Sequence, residues 1–154
     1  MKSELGLKTL DVKYQAVTSA NRIPLIQNGT VDIECGSTTN SLKRQREAAF
    51  SVSYFGIQVS AAVWKSSGIK SLEDLNGKTV TVTSGTTSVA LIKEFEKAHI
   101  EDPLSDDEDF AESMQLVANK RADAFILDDV LLAGQISNLP NASEFTILDA
   151  SLGW

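Results

Sequence analysis

Leu10, Val12, Tyr14 and Ala16 alternate with Asp11, Lys13 and Gln15, the period of a strand with one buried face. The same period returns at Val31, Ile33 and Cys35. Between them Ser19-Ala20-Asn21 caps a short helix, with Pro24 in the first turn, where a helix tolerates it, and Asn28-Gly29 stopping it. The strand at Val31–Cys35 empties into a polar turn, Gly36-Ser37-Thr38-Thr39-Asn40, and a helix-like segment carrying Arg44 follows. Phe50 to Phe55 mixes serines with aromatics, and Gly56 to Trp64 reads as a long strand, extended enough to cross between two sub-structures.

The second half is patterned more regularly. Ser67-Gly68 breaks the long strand, and Ser71 and Asp74 form a capping-box-like pair on a helical turn that Asn76-Gly77 ends. Thr79 to Thr83 predicts a strand, and Val89 to Ala98 a helix turning Leu91, Ile92 and Phe95 inward. Phe110, Met114 and Val117 mark the inner face of the next helix, which Asn119-Lys120-Arg121 ends. Ala124 to Leu127 is a continuous apolar strand of the fully buried, parallel kind, followed by a helix from Val130 to Ile136 and a last strand from Phe145 to Leu148. Strands alternating with helices predict an α/β fold.

Two turns in this pattern carry chemistry. Gly36-Ser37-Thr38-Thr39 and Ser84-Gly85-Thr86-Thr87 are near-copies about 48 positions apart, each between a predicted strand and a predicted helix. Such turns offer hydroxyls and unpaired N–H groups to a small anion, although Ser and Thr also crowd at helix starts simply to cap them. Ser37, Thr39 and the fork of Arg44 suit a carboxylate, and Thr86 and Thr87 suit further ligand oxygens. Asp128 ends a predicted buried strand, where ligands of open α/β sheets collect, and suits an ammonium; the neighbouring Asp129 reads as a helix cap. A zwitterion such as an α-amino acid satisfies the whole set.

Composition narrows the partners. The 154 residues, 42% hydrophobic and 23% charged, can bury a core as one domain or two small lobes. A net charge of −7 without a basic stretch excludes nucleic acid as the expected partner and disfavours anionic lipid. The single cysteine, Cys35, forms no internal disulfide and is expected as a small buried hydrophobe. No stretch reads as a signal peptide or a membrane span. Asn28-Gly29-Thr30 and Asn141-Ala142-Ser143 fit a glycosylation pattern by chance. The acidic stretch His99–Asp109 lacks the spacing and glycine of a calcium loop, and His99, the only histidine, falls at a predicted helix end with no paired nucleophile. No metal, no cofactor and no catalytic residue is expected.

Taken together, Asn21–Gly29, Glu34–Asn40, Thr83–Ser88 and Arg121–Phe125 with Asp128-Asp129 resemble the periplasmic solute-binding proteins of polar amino-acid ABC transporters, most closely the glutamate/aspartate-binding branch. The resemblance implies a periplasmic-binding-protein-like (type II) fold, two α/β lobes closing over the ligand. Residues 1–55 would be a partial first lobe, 56–64 the hinge, 65–148 the second lobe and 149–154 the start of a return hinge. It implies that Ser37, Thr39 and Arg44, helped by Thr86 and Thr87, hold the α-carboxylate and that Asp128 holds the α-ammonium. It further implies a periplasmic location and a membrane permease as partner. Ser60 and Phe110 stand where the acidic-amino-acid branch has an arginine and a histidine for the side-chain carboxylate, so a neutral polar or small amino acid fits at least as well as glutamate or aspartate. A first lobe lacking its opening strand and closing helices would expose apolar surface and self-associate. The same fold hosts ligand-sensing receptor domains and cyclohexadienyl dehydratase-like enzymes; the latter would need a general acid, a role for which Asp128 is less suited than for pairing an ammonium.

Overall fold

The computed structural model describes residues 1–93, 99–101, 109–149 and 151–152. One five-stranded mixed sheet organises it: β1 (Val59–Trp64), β2 (Thr79–Thr81), β3 (His99–Glu101), β4 (Ala124–Asp128) and β5 (Phe145–Ile147), in the order β3-β2-β4-β1-β5. β2 runs parallel to β3 and β4, while β1 is antiparallel to both β4 and β5. Four α-helices accompany it among the described residues, α1 (Arg22–Gln27), α2 (Ser88–Lys93), α3 (Phe110–Ala118) and α4 (Asp129–Ser137). The structure thus has the α/β class that the strand and helix periods predict.

β4 is buried along its whole length because both its faces are covered. Ala124 and Ile126 join Val59, Ala61, Val63, Val80, Val82 and Ile92 on one side of the sheet. Phe125 and Leu127 join Ala62, Met114, Val117 and Leu132 on the other. The alternation is the pleat itself, and each large side chain removed from water contributes about 1.5–3 kcal/mol. β4 is parallel to β2 alone; its pairing with β1 is antiparallel, a distinction that a continuous apolar run does not encode.

Residues 1–55 follow the sequence less closely. Neither Leu10–Ala16 nor Val31–Cys35 forms a strand, and Arg44 stands on a single 3-10 turn, Arg44–Arg46. Alternation gives a segment a strand's faces, but a strand exists only where a neighbour accepts its backbone, and no strand of the sheet pairs with these segments. Their apolar side chains stand in solvent, Tyr14 94% and Ile33 59% exposed, and Cys35 is exposed rather than buried. The chain exposes 10000 Å² in all. A compact monomer of this mass would expose about 7600 Å², and the exposed apolar side chains of this first third contribute to the excess.

Two further expectations shift. His99 begins β3 rather than ending a helix. The predicted end of α2, residues 94–98, and most of the acidic stretch, residues 102–108, lie outside the described residues.

Candidate functional site

Parallel β2 and β4 deliver their C-terminal ends to one edge of the sheet, which brings the turn after β2 beside Asp128. Asp128 and Asp129 then divide the work. Asp129 Oδ1 accepts from the Val130 and Gln58 N–H groups at 2.8 and 3.4 Å, fixing the start of α4 to the entry of β1. Asp128 holds the N-cap position of α4 without a side-chain cap bond and is buried. Burial raises its pKa, an effect that nearby Arg22 opposes, Asp129 reinforces and Arg44 opposes.

The first third supplies the other wall. Thr18 and Asn21 exchange hydrogen bonds, Thr18 N–H to Asn21 Oδ1 at 2.8 Å and Asn21 N–H to Thr18 Oγ1 at 3.2 Å, which sets the start of α1. Arg22, the first residue of that helix, is buried at 5% exposure; one terminal nitrogen donates to Ser37 Oγ at 3.5 Å, while Nε meets no partner among the described residues. Burial lowers its pKa, repulsion by Arg44 lowers it further, and Glu34 and Asp128 act the other way. Thr38 Oγ1 is likewise buried without a partner. Buried polar atoms left unpaired are uncommon, and at a cleft they mark groups that a ligand would satisfy.

Arg22, Ser37, Thr39, Thr86, Thr87 and Asp128 line one narrow pocket with Phe110, Leu127 and Leu131. Its free volume, about 10 Å³, holds no more than a water. It shares Ser37, Thr39, Asp128 and Leu131 with a wider cavity of about 470 Å³, walled also by Phe50, Tyr54 and Phe55, whose size lies in the range of small-molecule sites. Five of the six candidates from the sequence therefore meet.

Arg44, the sixth, stands behind the lining. Its guanidinium donates to the Thr39 carbonyl at 3.2 Å and to the Gly85 carbonyl at 2.8 Å, so two of its N–H groups are already committed to backbone. Thr86 Oγ1 donates to the Thr83 carbonyl at 2.7 Å, leaving that hydroxyl only its lone pairs to offer. Ser60 donates to the Leu148 carbonyl at 2.7 Å within the sheet, a structural bond outside the pocket lining, whereas Phe110 is part of that lining. Among the described residues no three His, Cys, Asp or Glu side chains gather as a metal site requires.

Sequence reasoning gave Arg22 no role. A signal was present: a cation in the first turn of a helix opposes the helix dipole, at a cost of about 0.3–1 kcal/mol. Local rules are broken most often where function requires it.

The family model for bacterial extracellular solute-binding proteins, family 3, matches residues 1–131. The L-glutamate/L-aspartate-binding protein of Pseudomonas aeruginosa is 41% identical over 148 residues, 96% of this chain and 49% of that protein. The glutamate/aspartate import solute-binding protein of Salmonella typhimurium is 45% identical over 136 residues, 88% of this chain and 45% of its own. Among solved structures, an ancestral arginine-binding protein bound to arginine superposes with a TM-score of 0.84 at 28% identity, covering 99% of this chain and 66% of that one. The chain spans about half the length of the curated relatives it matches. These matches agree with the family read from the four motifs: the chain belongs to the bacterial extracellular solute-binding proteins of family 3.

Proposed function

We propose that this chain carries the binding residues of an extracytoplasmic, periplasmic receptor that captures an acidic amino acid, glutamate or aspartate, for the permease of an ABC importer. The observation that supports it most is the charge pattern at the edge of the sheet: buried Arg22 and buried Asp128 line one pocket, buried Arg44 stands behind that lining, and Glu34 and Glu47 are the other charges acting on the two arginines. A dicarboxylic amino acid brings two carboxylates, which suit the two arginines, and one ammonium, which suits Asp128. A neutral zwitterion offers one carboxylate to two buried arginines, whereas an acidic amino acid offers one to each. Arg22 thus supplies the second cation that Ser60 and Phe110 do not, and shifts the balance of the sequence reading from a neutral toward an acidic ligand. In this reading Asp128 takes the ammonium, Ser37 and Thr39 take one carboxylate with the charge of Arg44 behind them, Thr87 supports them, and Arg22 takes the other carboxylate. The two relatives at 41% and 45% identity bear glutamate/aspartate in their names, which supports the choice. The reading assigns no reaction and no catalytic residue.

Thermal-shift screening of the twenty amino acids tests it. Glutamate or aspartate at 100 times its Kd should stabilise the protein by about 2.7 kcal/mol, visible as a rise of several degrees. No shift with either acid would overturn the ligand assignment, and turnover of prephenate or arogenate would replace a receptor with an enzyme.

The exposed apolar side chains of the first third, Val12, Tyr14, Val52 and Tyr54 among them, belong to the same proposal. They favour self-association, and sedimentation should show a weight that rises with concentration; a monomer throughout would reject it.

A further inference from the structure

The two halves of the pocket meet closely at Gly85. Its φ of +75° is a conformation that side chains rarely adopt, and a Cβ built there would lie 2.6 Å from the Ser19 carbonyl carbon and 2.7 Å from Ala20 Cα. The turn after β2 therefore lies backbone to backbone against the residues that lead into α1. From the other side Arg44 reaches the Gly85 carbonyl at 2.8 Å while holding the Thr39 carbonyl at 3.2 Å. Gly85 is thus gripped by two separate parts of the first 55 residues. One leads to Arg22, and the other to Ser37 and Thr39.

We propose that this seam, Gly85 packed on Ser19-Ala20 and clasped by Arg44, positions the ligand groups of residues 1–55 against those of the β2 and β4 ends, and so sets the affinity of the site. The inference rests on the amino-acid-binding reading. Arg22, Ser37 and Thr39 belong to a segment that contributes no strand to the sheet, so their distance from Thr87 and Asp128 depends on what fastens that segment. A contact between backbones admits no side chain of any size, because neither partner can rotate away. Arg44 adds direction: its planar fork bonds both carbonyls at once, which the point charge of a lysine would not reproduce.

The test compares Gly85→Ala with Gly77→Ala. Gly77 has φ +74° with no atom within 4 Å of its Cβ position, so the pair shares the backbone penalty and differs only in the collision with Ser19-Ala20. Affinity for glutamate is read by titration calorimetry and compactness by small-angle scattering, on the full chain, with circular dichroism confirming the fold. Gly85→Ala should weaken binding roughly tenfold or more and raise the radius of gyration, because the seated arrangement becomes a minor population. Gly77→Ala should leave affinity within about twofold and compactness unchanged. Arg44→Lys should show the same change in radius of gyration to a smaller degree. If the unsubstituted protein binds no amino acid while Gly85→Ala alone expands, the seam stands and the ligand reading falls. Equal compactness and equal affinity in the two glycine variants would overturn the seam.

Discussion

Asp128→Asn should abolish amino-acid binding and at the same time raise the melting temperature of the ligand-free protein. Both effects follow from one buried carboxylate. Burial raises the Asp128 pKa above its unfolded value, with Arg22 opposing the shift. The native state therefore takes up a proton more readily than the unfolded chain. Where the native state binds more protons, stability falls as pH rises, so the ligand-free protein should lose stability from the unfolded pKa up through the folded one. Asparagine occupies the same volume, carries no charge and removes that decline. Binding moves in the opposite direction. An ammonium needs the ionised carboxylate, so affinity in the unsubstituted protein should fall as pH drops through the folded pKa. Truncating one partner of a buried charge pair costs about 2–5 kcal/mol, roughly 30- to 4000-fold in Kd. Melting curves of the two proteins between pH 4 and 8, with and without glutamate, separate these effects. An asparagine variant that binds glutamate normally would remove Asp128 from the site, and one less stable than the parent at pH 8 would contradict the sign of the pKa shift.

Much of the chain beyond its first third was legible because its elements satisfy one another within one sheet and its covering helices. A strand such as Ala124–Asp128 has neighbours on both sides and helices on both faces, and its short apolar run with a carboxylate pair after it matches that burial. The first third shows where this logic ends. Leu10–Ala16 carries as clear an alternation as any stretch, but a strand needs a partner's backbone, and periodicity cannot report whether one is present. The site divided along the same line. Asp128 was readable because the end of a parallel strand is a place where ligands gather, and Thr86 and Thr87 because they follow such a strand. Arg22 was hidden because a helix start is where Ser, Thr or Asn draws attention, and Asn21 beside it accounted for the local pattern. Arg44 was visible as a charge, yet its two carbonyl bonds, one spanning 41 residues, depend on a packing that spacing does not encode.

Arg22→Gln should convert preference from glutamate toward glutamine rather than destroy the site. The guanidinium is desolvated, repelled by Arg44 and left with an unpartnered Nε, and in the ligand-free protein only the long bond to Ser37 and the charges of Glu34 and Asp128 offset the cost of burying it. A residue kept under those terms is explained by a charge that arrives later, and the side-chain carboxylate of glutamate or aspartate supplies it. Removing the cation leaves that carboxylate buried against Phe110, Leu127 and Leu131 with no counter-charge. Breaking a buried pair in this way costs about 3–5 kcal/mol, roughly 100- to 4000-fold in affinity. Glutamine has no charge to strand and can exchange hydrogen bonds with the introduced amide, so its affinity should hold or improve. The ligand-free variant should also melt slightly higher, since a buried like-charge repulsion is gone. Calorimetric titration with the two amino acids reads the outcome as a ratio. An equal loss for both would place Arg22 on the α-carboxylate that they share and return the second carboxylate to Arg44. No loss for either would leave Arg22 outside the site, and with it the argument that two buried cations select an acidic ligand.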